Sequence, residues 1–126
     1  MRLVLGGIAQ GKCDYVKTAY QISENDIFSG EQTELEQLSG VVAVDQFHLW
    51  VKRKIKEGAD VPELTEIFIK QNPDCIVICD EVGCGVVPVE KEEREYREQV
   101  GRMQIVLAKA SESVERVICG IAQKIK

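Results

Sequence analysis

Several common features are scarce in this chain, and each gap narrows what it can be. No apolar run approaches the length needed to span a bilayer. The opening MRLVLGG is a short apolar stretch running into glycines, without the long apolar core and cleavage site of a secretory signal. The expected compartment is therefore the cytosol, with no membrane partner. Positive charge is not in excess: 16 lysines and arginines against 21 acids leave a net charge of −5. Without a general basic field, duplex nucleic acid is not an expected partner. The five cysteines, at 13, 75, 79, 84 and 119, lack a paired C-x-x-C framework. Cys75, Cys79 and Cys119 fall in apolar runs and read as small core residues in a reducing compartment. A metal cluster of Cys75, Cys79 and Cys84 is the weaker reading, since 75 and 79 lie four apart on one face of a single expected strand. Proline is rare, with three in the chain, and histidine occurs once.

What is present is patterned. At 126 residues the chain is expected to form one domain over 1–126. Apolar runs of strand length occur at 2–5, 41–45, 75–79 and 114–119. Each is nearly continuous rather than alternating, which is the pattern of strands buried on both faces of a parallel sheet. Helical stripes lie between them: Cys13, Val16, Ala19 and Tyr20; then Val61, Leu64, Ile67 and Phe68, stopped by Asn72-Pro73; then Tyr96, Val100, Met103 and Leu107. The order β-α-β-α-β-α-β predicts an α/β fold with a mainly parallel sheet flanked by helices. Residues 23–40 are polar and weakly patterned, and read as a loop with a short helix at 31–38.

The first strand runs directly into Gly6-Gly7-Ile8-Ala9-Gln10-Gly11-Lys12-Cys13. This is the phosphate-binding loop G-x-x-x-x-G-K in its proper context, after a strand and before an amphipathic helix. Gly6, Gly7 and Gly11 allow backbone N–H groups to face phosphates, the helix N-terminus adds positive potential, and Lys12 reaches the terminal phosphates. The pattern then asks for a serine or threonine hydroxyl to hold magnesium, and the chain has the Cys13 thiol instead. The competing reading of the loop is a plain strand-to-helix turn with a solvated lysine.

Two strands end in acid, VVAVD at Asp45 and CIVICDE at Asp80-Glu81. An acid at a strand end beside a phosphate loop can hold Mg2+ or orient an attacking group, and Asp45 and Glu81 are taken for those roles. His48, in QFHLWV, invites a role as base or covalent carrier, but reads better as a partly buried histidine with a structural hydrogen bond. The stretch EKEEREYREQVGR reads, on its own, as a solvated helical face with i,i+4 ion pairs.

From Asp80 to the last residue the chain resembles the C-terminal half of the adenosylcobinamide kinase/adenosylcobinamide-phosphate guanylyltransferase family of cobalamin biosynthesis. That family carries N-E-V-G-x-G-I-V-P, then R-x-F-R-D-x-x-G-x-x-N-Q. Glu81-Val82-Gly83, Gly85 and Val87-Pro88 match the first, and Arg94, Arg97, Gly101 and Gln104 the second, with Tyr96 as the aromatic. The loop at Gly6–Cys13 is similar to the family's G-G-x-x-S-G-K-S, and Asp45, Leu49 and Trp50 match its D-C-L-T-L-W. The resemblance implies a P-loop nucleotide-binding fold, a homotrimer, and ATP or GTP with Mg2+ as cosubstrate. It also implies phosphorylation of the aminopropanol hydroxyl of a corrinoid, followed by GMP transfer through a histidine. Arg94 and Arg97 become candidates for phosphate or substrate contact, and Gly83 and Gly85 for a loop whose backbone approaches a ligand or a neighbouring subunit.

The departures fall where chemistry is expected. Cys13 replaces the hydroxyl, Asp80 an Asn, Glu98 an Asp, Met103 an Asn and Ala122 a Pro. The segment that carries the family's guanylylated histidine is replaced by 23–40, which contains none. The expected function is therefore phosphoryl transfer to a cobinamide-like alcohol with guanylyl transfer lost. The alternative is a non-catalytic nucleotide- or corrinoid-binding relative.

Overall fold

A computed structural model describes residues 1–83 and 85–126. Cys84, the third member of the cysteine trio considered above, lies outside the described residues. In chain order the elements are β1 (Arg2–Gly6), α1 (Lys12–Ala19), β2 (Ile27–Ser29), β3 (Ala43–Asp45), α2 (Phe47–Lys56), α3 (Val61–Gln71), β4 (Ile76–Asp80), α4 (Lys91–Ala110), β5 (Ser113–Ile118) and β6 (Ile121–Lys124). The strands form one six-stranded sheet in the order β2-β3-β4-β1-β5-β6. All pairings are parallel except β5 with β6. The fold is thus the α/β architecture that the continuous apolar strands predict.

Continuity of those runs has a physical cause, because the sheet is covered on both sides. Along β4 and the residue before it, Cys75, Val77 and Cys79 enter one core with Leu3, Phe47, Trp50, Phe68 and Leu107. The alternate residues Ile76 and Ile78 enter a second core with Val4, Val16, Ala43 and Val117. Both cysteines are buried, so burial pushes each thiol up to about 12 and leaves it a neutral apolar filler. The long α4 buries Tyr96, Val100, Met103 and Leu107, the stripe read from the sequence.

Three elements differ from expectation. Residues 31–38 do not form an α-helix: the segment holds a single 3-10 turn at Leu35–Gln37, and β2 precedes it as a three-residue edge strand. The reason lies in α2, whose Arg53 donates to the carbonyls of Gly30 at 2.9 Å and Thr33 at 3.0 Å, and pairs with Glu34. Those contacts hold the segment extended, while Leu35 fills the core. The α2 helix itself buries Phe47, Trp50, Val51 and Lys54, a one-face spacing with a lysine in the last place. Finally β6 forms a hairpin with β5 through Cys119 (φ 51°) and Gly120 (φ 76°), both left-handed, as a two-residue turn requires. Among the described residues, no helix is long and apolar enough to cross a membrane.

Candidate functional site

The site lies where β1, β3 and β4 end beside the start of α1. Gly11 caps α1 in the left-handed region (φ 85°), which favours glycine, and Ala9 shares that region at φ 56°. The loop is strapped from the far side by the β5–β6 turn. Gly120 N–H donates to the Gln10 carbonyl at 2.8 Å, and Cys119 N–H donates to Gln10 Oε1 at 2.8 Å. A cavity of about 240 Å³ opens above it, lined by Gly11, Lys12, Cys13, Asp45, Gln46 and Asp80 among others.

Lys12 is buried at 6% exposure, and its ammonium is held at 2.6 Å by both the Gly7 carbonyl and Asp80 Oδ1. The other Asp80 oxygen lies 3.4 Å from His48 Nε2, while Asp80's own N–H donates to His48 Nδ1 at 3.2 Å. With Nδ1 accepting, the imidazole carries its proton on Nε2. Burial, partly opposed by Asp80, holds His48 below its ordinary pKa and keeps it neutral. Gln104 donates to the Asp80 carbonyl at 2.9 Å, so α4 also steadies this strand end. Asp80 is the site residue that sequence reasoning passed over in favour of its neighbour. Its signal was visible in CIVICDE, at a position where the resembling family has Asn.

Asp45 lines the cavity, and its Oδ1 accepts the N–H of Gln46 at 2.7 Å. Cys13 is half-buried next to it; burial first and the Asp45 carboxylate second push the thiol above its ordinary pKa. It therefore stands as a neutral thiol, a poor ligand for a hard cation. No group of three or more histidine, cysteine, aspartate or glutamate side chains that could hold a metal occurs among the described residues. As an oxygen donor to magnesium, the protein offers Asp45; Asp80 is already engaged by Lys12.

The other expected site residues are placed elsewhere. Glu81 does not line the cavity, and its carboxylate takes a two-pronged pair from Arg116 of β5, at 2.8 and 3.0 Å. Arg94 donates to the carbonyls of Pro88 at 3.1 Å and Val89 at 2.5 Å, and Arg97 to that of Val86 at 2.8 Å. Both guanidinium groups fold the β4–α4 loop, which contains Gly83 and Gly85, back onto the start of α4. The structure brings Gly7, Gly11, Lys12, Cys13 and Asp45 together, and leaves the two arginines on the first turns of α4, bonded to that loop.

A strand-loop-helix phosphate cradle with its lysine, set in a mainly parallel sheet, defines a P-loop nucleotide-binding protein. Residues 17–125 match the model of the cobinamide kinase / cobinamide phosphate guanyltransferase family. The match spans most of the chain, and the protein belongs to that family. Membership ties it to cobalamin biosynthesis and to nucleotide-dependent chemistry of the kinase and guanylyltransferase kind. The matched region begins after the phosphate loop, so loop and family point the same way from separate residues. No curated protein matches the chain in sequence.

Proposed function

We propose that the protein is a phosphotransferase that binds ATP or GTP at Gly6–Cys13 and phosphorylates the hydroxyl of a cobinamide-like alcohol. The observation that carries this reading is convergence. The α1 N-terminus, the Lys12 ammonium and the Asp45 carboxylate meet at one cavity of about 240 Å³. In this reading Lys12 leaves Asp80 for the terminal phosphate oxygens, and the loop N–H groups hold the remainder. The alcohol oxygen bonds to the γ-phosphorus as the bond to the bridging oxygen breaks. The nucleoside diphosphate leaves with that electron pair, and the hydroxyl proton passes to water. Asp45 is the donor the chain offers to a magnesium ion arriving with the phosphates, whose chemistry is to neutralise the transferring group. Arg116 keeps Glu81 in a supporting role beneath the β4–α4 loop.

Guanylyl transfer through a histidine is absent from this reading. His48, the one histidine of the chain, is buried with one nitrogen accepting a backbone N–H and the other facing a carboxylate. Neither is free to attack a phosphorus. A trimeric assembly is carried as an expectation from the family resemblance, measurable by light scattering.

A second reading is supported by Cys13 and by the Lys12–Asp80 pair: a relative that binds nucleotide without turnover. Calorimetric titration with ATP, GTP and GDP, with and without magnesium, is paired with a product assay on adenosylcobinamide. Phosphorylated product supports the kinase; magnesium-independent binding without product supports the second reading; no binding at all defeats both. Cys13→Ser restores an oxygen ligand, and is expected to raise magnesium-dependent turnover at least about tenfold if the thiol is the weak point.

A further inference from the structure

The β5–β6 hairpin packs little for its own sake. Three of the four residues of β6 are exposed, Ile121 at 75%, and Ala122 is the one that reaches a core. The turn end of β5, in contrast, lies along the back of the phosphate loop. A Cβ on Gly6 would come within 2.6 Å of the Val117 carbonyl oxygen, and one on Gly11 within 3.4 Å of Gly120 Cα. Between those glycines, Gln10 accepts twice from the turn, at its carbonyl from Gly120 N–H and at Oε1 from Cys119 N–H, both at 2.8 Å. Cys119 holds φ 51° to make that turn, a strained conformation for a residue with a side chain. The resembling family pattern has serine in the place of Gln10, with a side chain two carbons shorter.

These bonds decide where a neighbouring donor points. A planar trans peptide carries its C=O and N–H on opposite sides. The peptide joining Gln10 to Gly11 is trans, and its carbonyl is turned back onto Gly120. Its N–H, which belongs to Gly11, therefore faces the other way, towards the cavity that Gly11 lines.

Resting on the reading of 6–13 as the nucleotide site, we propose that the β5–β6 turn is a clasp on the phosphate loop and that Gln10 is its positioning residue. The clasp holds the Gln10–Gly11 peptide so that Gly11 N–H is aimed at a phosphate oxygen before nucleotide arrives. The side-chain bond to Cys119 steadies the backbone bond to Gly120, since both N–H groups belong to one tight turn and both acceptors to one residue. A loop aimed in advance avoids the ordering that a free glycine loop undergoes on binding. The clasp also gives β6 a task that its own burial does not explain.

The test follows the Gly120 amide of the isotope-labelled full chain by hydrogen exchange, beside calorimetry with ATP and GTP. Gln10→Met keeps the length of the side chain and removes its acceptor, while the backbone carbonyl that Gly120 meets is unchanged. It is expected to speed Gly120 exchange and to weaken nucleotide binding, each about tenfold. Gln10→Glu keeps an acceptor, and its Gly120 amide should exchange as in the parent. By reciprocity, saturating nucleotide should slow Gly120 exchange in the parent by about the same tenfold. A second variant replaces Gly120 N–H with an ester oxygen, made by ligating a 119–126 peptide through Cys119 to a thioester of 1–118. It should bind nucleotide at least about tenfold less tightly. Parent-like exchange or affinity in Gln10→Met, or a parent-like affinity in the ester chain, overturns the clasp. So does a Gln10→Glu protein as loose as Gln10→Met, or a parent Gly120 amide that ignores bound nucleotide. A parent that binds neither nucleotide, with Gln10→Met still loosening Gly120, overturns the nucleotide reading and leaves the clasp standing.

Discussion

Replacing Asp80 by asparagine isolates a charged contact that opposes phosphate binding at Lys12. The Asp80 carboxylate sits 2.6 Å from Lys12 Nζ, with side-chain exposures of 18% and 6%. A terminal phosphate that draws on Lys12 must share the ammonium with this carboxylate and also meet its negative charge. At a separation of about 6 Å, two unit charges repel by about 3 kcal/mol at an effective dielectric of about 20, and by about 0.7 kcal/mol in bulk water. Between those limits, Asp80→Asn is expected to tighten ATP or GTP binding about 10- to 100-fold without magnesium.

Stability moves the other way. Stripping one partner from a buried pair costs about 3–5 kcal/mol, but an asparagine oxygen still accepts from Lys12, so about 2 kcal/mol is expected here. For a chain of this size that lowers Tm by several degrees, roughly 5–10 °C. Saturating nucleotide should restore the loss, because Lys12 then pairs with phosphate. Isothermal calorimetry and thermal melts of parent and variant, each with and without nucleotide, read both effects. An Asp80→Asn protein that melts lower yet binds nucleotide no more tightly would mean that Lys12 never meets the phosphates. Weaker binding would mean that Asp80 helps to hold the ligand, and would overturn a repulsive role for its carboxylate.

Two further outcomes follow from other parts of the molecule. His48 titrates below its ordinary value because it is buried, against the smaller pull of Asp80 and Asp45. The unfolded chain therefore takes up its proton first: stability is full above the unfolded value of about 6.5 and falls as pH drops through it. Denaturation midpoints measured from about pH 7.5 to 5.5 should decline, and His48→Gln should flatten that decline; an unchanged slope would remove His48 as the cause. Lys54, 4% exposed, pairs with Glu34, with Glu36 at 2.7 Å and with Glu57 at 3.1 Å. Lys54→Met keeps the stem and leaves three facing carboxylates. About 2 kcal/mol should be lost in urea unfolding, with faster hydrogen exchange at 30–38. A variant as stable as the parent would show that Arg53 alone holds the segment.

How much of this was legible in the sequence depends on the range of the contacts involved. The centre of the sheet was legible because burial on both faces writes itself into β1, β3 and β4 as nearly unbroken apolar runs. The phosphate loop was legible because its function is carried by a local backbone path, strand to glycine turn to helix. The β2 strand was not, since three residues (IFS) are too few for any period, and its form comes from pairing with β3, some sixteen residues downstream in register. The β6 hairpin escaped for a different reason. Its turn begins with Cys119, a residue that rarely adopts positive φ, so no Asn-Gly or Asp-Gly signal marked it.

The choice between Asp80 and Glu81 shows the same limit at the scale of one residue. A continuous apolar strand hides its own parity: nothing in CIVIC says which face residue 80 takes, and successive side chains point to opposite faces. Register decides it. Asp80 pairs with Gly6, the last residue of β1, so its side chain stands beside the loop and reaches Lys12. Glu81 follows past the strand end, with its N–H on the Gly6 carbonyl, and its carboxylate meets Arg116 on β5, the strand on the other side of β1. A family pattern with Asn then Glu at these places directs attention to the glutamate, because that is the letter the chain retains. The contact with Lys12 sits on the letter that changed. Asparagine at 80 would leave Lys12 with a neutral acceptor and a full charge for phosphate; aspartate gives it a counter-ion before any nucleotide arrives. Together with the thiol at 13, that substitution weakens the two cationic terms on which phosphoryl transfer depends, the lysine and the metal, while leaving the shape of the cradle intact. A Cys13→Ser, Asp80→Asn double variant should therefore exceed either single change in magnesium-dependent nucleotide affinity, and calorimetry on the four proteins would measure how far the two effects add.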